Sequence, residues 1–435
     1  MDLPILDQWL VRRMGWMNKE GLSSLPAPED VRRWQLERLR EVVARAQKNS
    51  PFYGGHFSGV DTASILSVDD FSHLPMMTPG DVSGGPEQLL CVSQDEIARV
   101  VTLQSSGTTG PPKRIFHTED DLEATRDYFA WGIRNLVGPG ETAFVLMPGD
   151  RPGGVGTLLV DALSRSGARA VPHGVMENSA AALDHCLSEE ASCIVGPASH
   201  VNMLACAWEK RELPKDQIRS VLLCWDVTPD AVMRNVERAF GCRVFRHWGM
   251  IETGLGGAVE CAPGSGLHLR ETDVYIEIVS PQTGDLLPDG EFGELVVTTP
   301  LRRGMPLIRY RTGDAGRLLP GQCACGSPLR RLDPLVYRMA DGVEMGSGKL
   351  TLRALNETLY GVPGLEDFSV RYASGYLSLR VCADAEGLAA RARDALLRLA
   401  VIEEAVASFG LVIDVQVSTD GSPAVPGLGK RCIQT

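Results

Sequence analysis

Apolar positions near the start of the chain recur at helical spacing. Val31, Trp34, Leu39, Val42, Val43 and Ala46 line one face of a helix predicted from Pro28 to Lys48, with Pro51 just past its end. From about Arg99 the pattern changes. Short apolar runs at Val100 to Leu103, Ala143 to Met147, Ala168 to Pro172, Cys193 to Gly196, Val221 to Cys224 and Arg243 to Arg246 alternate with longer amphipathic stretches. Strands that alternate with helices need crossover connections, so a mostly parallel sheet is expected. Val274 to Val279 and Gly293 to Thr298 instead read as consecutive antiparallel strands joined by a Pro/Gly turn. A candidate hinge at 338–342 precedes a segment with its own signals, at Phe368 to Tyr372, Leu377 to Cys382 and a helix over Leu388 to Phe409. The expected class is α/β. A large N-terminal domain (1–337) would hold mostly parallel sheets flanked by helices and a small antiparallel, barrel-like part, and 338–435 would form a small α+β lid domain.

Length supports that division, because 435 residues exceed the size at which a single core keeps growing. The start Met1-Asp-Leu-Pro-Ile-Leu6 lacks the basic and apolar regions of a secretory signal, and no apolar run is long enough to cross a bilayer. A cytoplasmic location without a membrane partner is expected. A net charge of −12 disfavours nucleic acid, whose phosphates are bound by clustered Lys and Arg. Eleven cysteines without a signal peptide argue for reduced thiols or a metal site over a disulfide framework.

The densest chemistry lies between Leu103 and Ile115. Gly107 and Gly110 allow backbone N–H groups to close around an anion, Ser105, Ser106, Thr108 and Thr109 add hydroxyls, and Lys113 adds charge. The kinase and GTPase loop is excluded, since Pro112 precedes Lys113 and Arg114 follows it. A solvated turn is the plain alternative. Two distant segments add weight to a polyphosphate site: Arg246-His-Trp-Gly-Met-Ile-Glu-Thr253 and Tyr310-Arg-Thr-Gly-Asp314.

In this order the three segments resemble the core motifs of the adenylate-forming superfamily of acyl-CoA synthetases, luciferases and peptide-synthetase adenylation domains. Ser50-Pro-Phe-Tyr53 and the run Thr298 to Asp314 bring the resemblance closest to the phenylacetate-CoA ligase branch. The resemblance implies that a small carboxylic acid attacks the α-phosphorus of ATP, leaving an acyl-adenylate from which a thiol displaces AMP. That thiol would belong to CoA or a carrier protein, and an oligomer is allowed. Joining two anions calls for positive charge and alignment rather than a protein nucleophile.

By the same resemblance Glu252 ligates Mg²⁺, and Gly249 and Thr253 sit at the nucleotide. Trp248, where tyrosine is usual, stacks on adenine or walls the acyl pocket. Asp314 accepts from the ribose hydroxyls, Arg338 contacts the nucleotide, and Lys430 in Gly427-Leu-Gly-Lys-Arg-Cys432 is the lid lysine. The acyl pocket draws on Tyr128, Trp131, the turn Gly153-Gly154-Val-Gly156 and the run through Gly256. Ile251 departs from the pattern where Ser or Thr commonly touches the α-phosphate, with Thr253 as the neighbouring substitute. The stretch Val343 to Thr351 departs from the post-hinge pattern as well. Both departures admit a second reading, a catalytically impaired nucleotide-binding paralogue acting as sensor or scaffold. Finally, Cys261, His268, Cys323 and Cys325 match recurrent positions of the branch, and three thiolates with one imidazole suit a closed structural Zn²⁺ site. Buried apolar cysteines with a surface histidine are the alternative.

Overall fold

The first predicted helix forms over Pro28–Asn49 and buries Val31, Gln35, Leu39, Val42, Val43 and Ala46. Gln35 takes the place expected for Trp34 because its amide donates to the Glu271 carbonyl at 2.8 Å, which removes the penalty of burying it. Pro51 opens the next helix, Pro51–His56, whose Ser50 cap accepts from the Tyr53 N–H at 3.3 Å. The computed structural model describes residues 4–16, 25–103, 112–149, 154–346, 348–383, 386–427 and 430–435. The chain forms two compact units, 1–135 with 247–339 and 136–246 with 340–435.

In the second unit the expected parallel sheet is present. Arg169–Pro172, Thr142–Val145, Cys193–Pro197, Ser220–Cys224 and the strand from Arg243 lie side by side in that order, all parallel. Helices Val155–Arg165, Ser179–Ser188, Ala198–Lys210 and Asp230–Phe240 supply the connections. Cys193–Pro197 and Ser220–Cys224 are buried at every position, as strands covered on both faces must be. The segment from Ala340 carries its own sheet, ordered Val412–Ser418, Tyr376–Cys382, Asp367–Ala373 and Ile433–Gln434. The Asn202 amide joins the two parts, donating to the carbonyls of Leu365 (3.1 Å) and Glu366 (2.7 Å). The helix expected over Leu388 to Phe409 is two, Leu388–Leu397 and Ala400–Phe409. No Pro or Gly marks the break; it lets Leu396 and Ile402 both reach the core at 0% exposure.

The first unit is largely antiparallel. Tyr275–Val279, Gly293–Thr298, Tyr310–Gly316 and Tyr337–Arg338 form one sheet. A second ladder runs Leu318–Leu319, Arg331–Leu332, Leu267–Leu269, Ala258–Glu260 and on to His247 and Trp248. Ile97–Leu103, expected among the parallel strands, pairs antiparallel with Lys113–Thr118. The link between them is too short for a crossover. No helix among the described residues is long and apolar enough to cross a membrane.

Candidate active site

Three strand and turn ends of the first unit meet at one carboxylate. Lys113 opens Lys113–Thr118, Glu252 sits in the single turn Ile251–Thr253, and Tyr310 opens Tyr310–Gly316. Lys113 Nζ donates to Glu252 Oε1 at 2.7 Å and to the Tyr310 hydroxyl at 2.9 Å, and that hydroxyl donates to the same oxygen at 3.1 Å. The Glu252 side chain is 2% exposed and that of Lys113 12%. Burial pushes the Glu252 carboxyl up, but the charge and hydrogen bond of Lys113 outweigh it and hold the carboxyl below its ordinary 4.5. Tyr310 moves upward through burial and then the charge of Glu252, so it stays protonated. The result is a buried, ionised carboxylate beside an ammonium.

Asp314 is aimed by a bulge. The ladder between Gly293–Thr298 and Tyr310–Gly316 slips between Glu294 and Val296, and Gly313 takes φ 75°, a conformation that suits glycine. Asp314 Oδ1 then meets Arg338 Nε at 2.9 Å, while Arg338 Nη1 donates to the Thr312 carbonyl at 2.6 Å. The two residues expected at the nucleotide are thus direct cross-strand partners.

Trp248 ends its strand buried, with Gly257 against its ring: a Cβ at Gly257 would come within 2.6 Å of it. Gly249 is equally constrained, since its Cβ would lie 2.5 Å from the Leu255 carbonyl oxygen. Gly256 lies against the rings of Phe129 and Tyr128, so Tyr128 does adjoin the run from Trp248. Trp131 is half-buried with the Arg134 guanidinium 4.1 Å from its ring centre. Thr253 spends its hydroxyl on Met250, donating to its carbonyl (3.0 Å) and accepting from its N–H (3.1 Å). Ile251 is 8% exposed and packs with Tyr275, Leu307 and Ile308, so in this chain the position serves the core.

In the second unit, Gly154 caps Val155–Arg165, and Lys430 is half-buried ahead of Ile433–Gln434. The departing stretch after the hinge is a hairpin, Val343–Glu344 with Lys349–Leu350, that buries Met345 and Leu350. Ser105, Ser106, Gly107, Thr108, Thr109 and Gly110 lie outside the described residues, as do Asp150 to Gly153.

A cavity of about 530 Å³ in the first unit is bordered by Arg13, Asp121, Thr125, Thr253, Gly254 and Arg302. Arg302 is 8% exposed, and its Nη1 has no hydrogen-bond partner among the described residues. Burial lowers its pKa to about 10. The nearby carboxylates of Asp121, Glu252 and Asp273 offset only part of that burial, and a buried guanidinium with an unsatisfied nitrogen costs stability. Arg302→Met should therefore leave the melting temperature unchanged or raise it, and a loss above about 2 kcal/mol in a denaturant titration would contradict that.

The four zinc-type residues converge. Ligand atoms of Cys261, His268, Cys323 and Cys325 all lie within 4.8 Å of one another. Cys261 Sγ is 3.9 Å from Cys323 Sγ, and Cys325 Sγ is 3.6 Å from His268 Nε2. A tetrahedron with metal–sulfur bonds of ~2.3 Å and metal–nitrogen bonds of ~2.0 Å has edges of roughly 3.8 and 3.5 Å, so the donor set fits Zn²⁺.

Comparison with known proteins decides the family. Residues 61–304, more than half of the chain, match the profile described as AMP-binding enzyme. The chain belongs to that family. This AMP-binding enzyme is 30% identical over 339 residues to a phenylacetate-coenzyme A ligase of Thermus thermophilus, covering 75% of the chain and 74% of the relative. It is 29% identical over 326 residues to one of Escherichia coli, covering 72% of each. It falls in the phenylacetate-CoA ligase-like branch and is an AMP-forming acid–thiol ligase. A crystal structure of 2-hydroxyisobutyryl-CoA ligase with 2-HIB-AMP shares its fold at TM-score 0.77 and 20% identity, covering 94% of this chain and 90% of that one.

The candidate site also includes a residue that its own motif does not single out. Tyr310 stands in a quoted motif, yet its bonds to Lys113 and Glu252 join positions far apart in sequence, and no spacing rule announces them.

Proposed function

We propose that the chain joins a small carboxylic acid to the thiol of CoA through an acyl-adenylate, with 338–435 serving as the lid. The buried Lys113–Glu252–Tyr310 cluster carries this reading, because it keeps an anionic oxygen and a cation ready where polyphosphate charge must be neutralised. Glu252 would hold Mg²⁺: a hard ion takes carboxylate oxygens, and this carboxylate is ionised. When bound, the ion supplies charge neutralisation at the phosphates. Lys113 keeps Glu252 ionised and adds positive charge beside it, and Tyr310 orients both.

Asp314, steadied by Arg338, is the acceptor for two vicinal ribose hydroxyls. Asp314→Asn removes a charge-assisted acceptor, so the KM for ATP should rise about tenfold with kcat changed far less. Steady-state kinetics at varied ATP check this; an unchanged KM contradicts the role. Lys430 is the cation for the developing charge. Its neighbour Arg431 donates its backbone N–H to Asp226 at 3.3 Å, just beyond the end of Ser220–Cys224, and the carboxyl ends of parallel strands are where open α/β sheets take ligands. The cluster of Cys261, His268, Cys323 and Cys325 is read as a structural Zn²⁺ clamp.

CoA is favoured over a carrier-protein thiol because the curated relatives are CoA ligases. Incubating the enzyme with ATP, Mg²⁺ and a panel of aliphatic and aromatic acids, with and without CoA, tests the reading. Acid-dependent pyrophosphate release and an acyl-CoA product are expected; release with no acid in the panel would count against it.

A further inference from the structure

We infer that Arg431 is a positioning residue for Lys430, holding its backbone in place for the adenylation step. The inference rests on the reading of Lys430 as the cation of that step. A lysine ammonium rides on a flexible four-carbon stem, so its reach is set by where its Cα is fixed. The next Cα is only about 3.8 Å away, and a residue clamped there restricts Lys430 more than any distant contact can.

Arg431 is clamped at both ends. Its side chain is 6% exposed, donates through Nη2 to the Asp367 carboxylate and to the Tyr360 hydroxyl (2.9 Å), and lies over the Phe368 ring at 4.3 Å. The Tyr360 hydroxyl donates to the same Asp367 oxygen at 2.9 Å. The other Asp367 oxygen accepts from the Ala424 N–H at 2.8 Å, so one buried carboxylate ties down both ends of the stretch that carries Lys430. The backbone of Arg431 is held separately by Asp226 (3.3 Å), and Ile433 pairs with Val370 of the neighbouring strand. Arg431 approaches no reacting atom in this account. An exposed tail needs none of these bonds, and a buried guanidinium is costly to place without a carboxylate.

The test uses full-length enzyme and a double-mutant cycle. Arg431→Met alone strands Asp367, so the working variant is Arg431→Met with Asp367→Asn, a neutral pair of similar shape whose melting temperature is measured first; Arg431→Lys serves as a second variant that keeps the charge. Adenylation is read as acid-dependent pyrophosphate release, and the thiol step as acyl-CoA formation from supplied acyl-adenylate. Misplacing a catalytic group by about 1 Å can cost roughly a hundredfold, so the pair variant should lose about that much kcat in adenylation, with KM for ATP nearly unchanged. Arg431→Lys should recover part of it. Added to Lys430→Ala, the pair variant should cost nothing further. Losses that multiply in the triple variant, a pair variant that adenylates normally, or an equal loss in both half-reactions would each overturn the inference. If Lys430→Ala itself left adenylation intact, the role of Lys430 would fail, a result distinct from a slow Lys430→Ala beside a normal pair variant.

Discussion

Glu252→Gln is expected to lower adenylate formation by about a thousandfold, the upper range for removing one electrostatic element from a preorganised site. The substitution keeps shape and loses charge. Lys113, with its side chain 12% exposed, then faces a neutral amide and the Tyr310 hydroxyl. Breaking one side of a buried pair costs about 3 kcal/mol, so the melting temperature should fall with activity. Excess Mg²⁺ should restore activity only in part, because the ligand would be a weaker amide oxygen. Tyr310→Phe removes two hydrogen bonds to charged groups but no charge, and should have a smaller effect, about 2 kcal/mol. The sign of the pH dependence follows from the depressed carboxyl: the stabilisation from the Lys113 pair is fully present above the ordinary 4.5 and is lost as pH falls through the lower folded value. Stopped assays of pyrophosphate release across Mg²⁺ concentrations read the catalytic part. A Glu252→Gln enzyme within tenfold of the parent would remove the carboxylate from the mechanism.

The second large effect is metal removal. Purified protein should carry about one equivalent of zinc, because three cysteines and a buried histidine whose ligand atoms all lie within 4.8 Å of one another can form a closed site. The ligands come from the turn after Ala258–Glu260, from Leu267–Leu269 and from the loop before Arg331–Leu332, so the ion would tie together three neighbours in one antiparallel ladder. Stripping it with a chelator, or Cys323→Ser, should lower the melting temperature by about 10 °C, which corresponds to several kcal/mol in a domain of this size. Metal analysis and thermal melts of the two preparations check this. Less than about half an equivalent, or coincident melts, would leave the cluster as four neighbouring side chains with no structural metal.

Much of this site was legible because its chemistry lies in contiguous motifs. Glu252 and Asp314 each announce themselves by the residues around them, and Cys323-Ala-Cys325 is a metal-like spacing on its face. The parallel strands from Thr142–Val145 to Ser220–Cys224 were legible too, because burial on both faces forces unbroken apolar runs. What stayed hidden depends on partners far along the chain. Gln35 is buried because Glu271 offers it a carbonyl, and Arg431 is buried because Asp367 awaits it; composition at either position gives no hint. The break at Leu399 was hidden for a different reason: helical propensity runs through it, and core packing on both sides overrides that propensity. Ile97–Leu103 looked like any other apolar run, and only the length of its connection to Lys113–Thr118 decides its direction.

Oxygen transfer tests the central claim most directly. With an accepted acid labelled by ¹⁸O in its carboxylate, plus ATP, Mg²⁺ and CoA, attack on the α-phosphorus must leave one labelled oxygen in the AMP product. Mass spectrometry should find AMP carrying that single label and unlabelled pyrophosphate. Unlabelled AMP, or label appearing in inorganic phosphate, would contradict activation of the acid at the α-phosphorus.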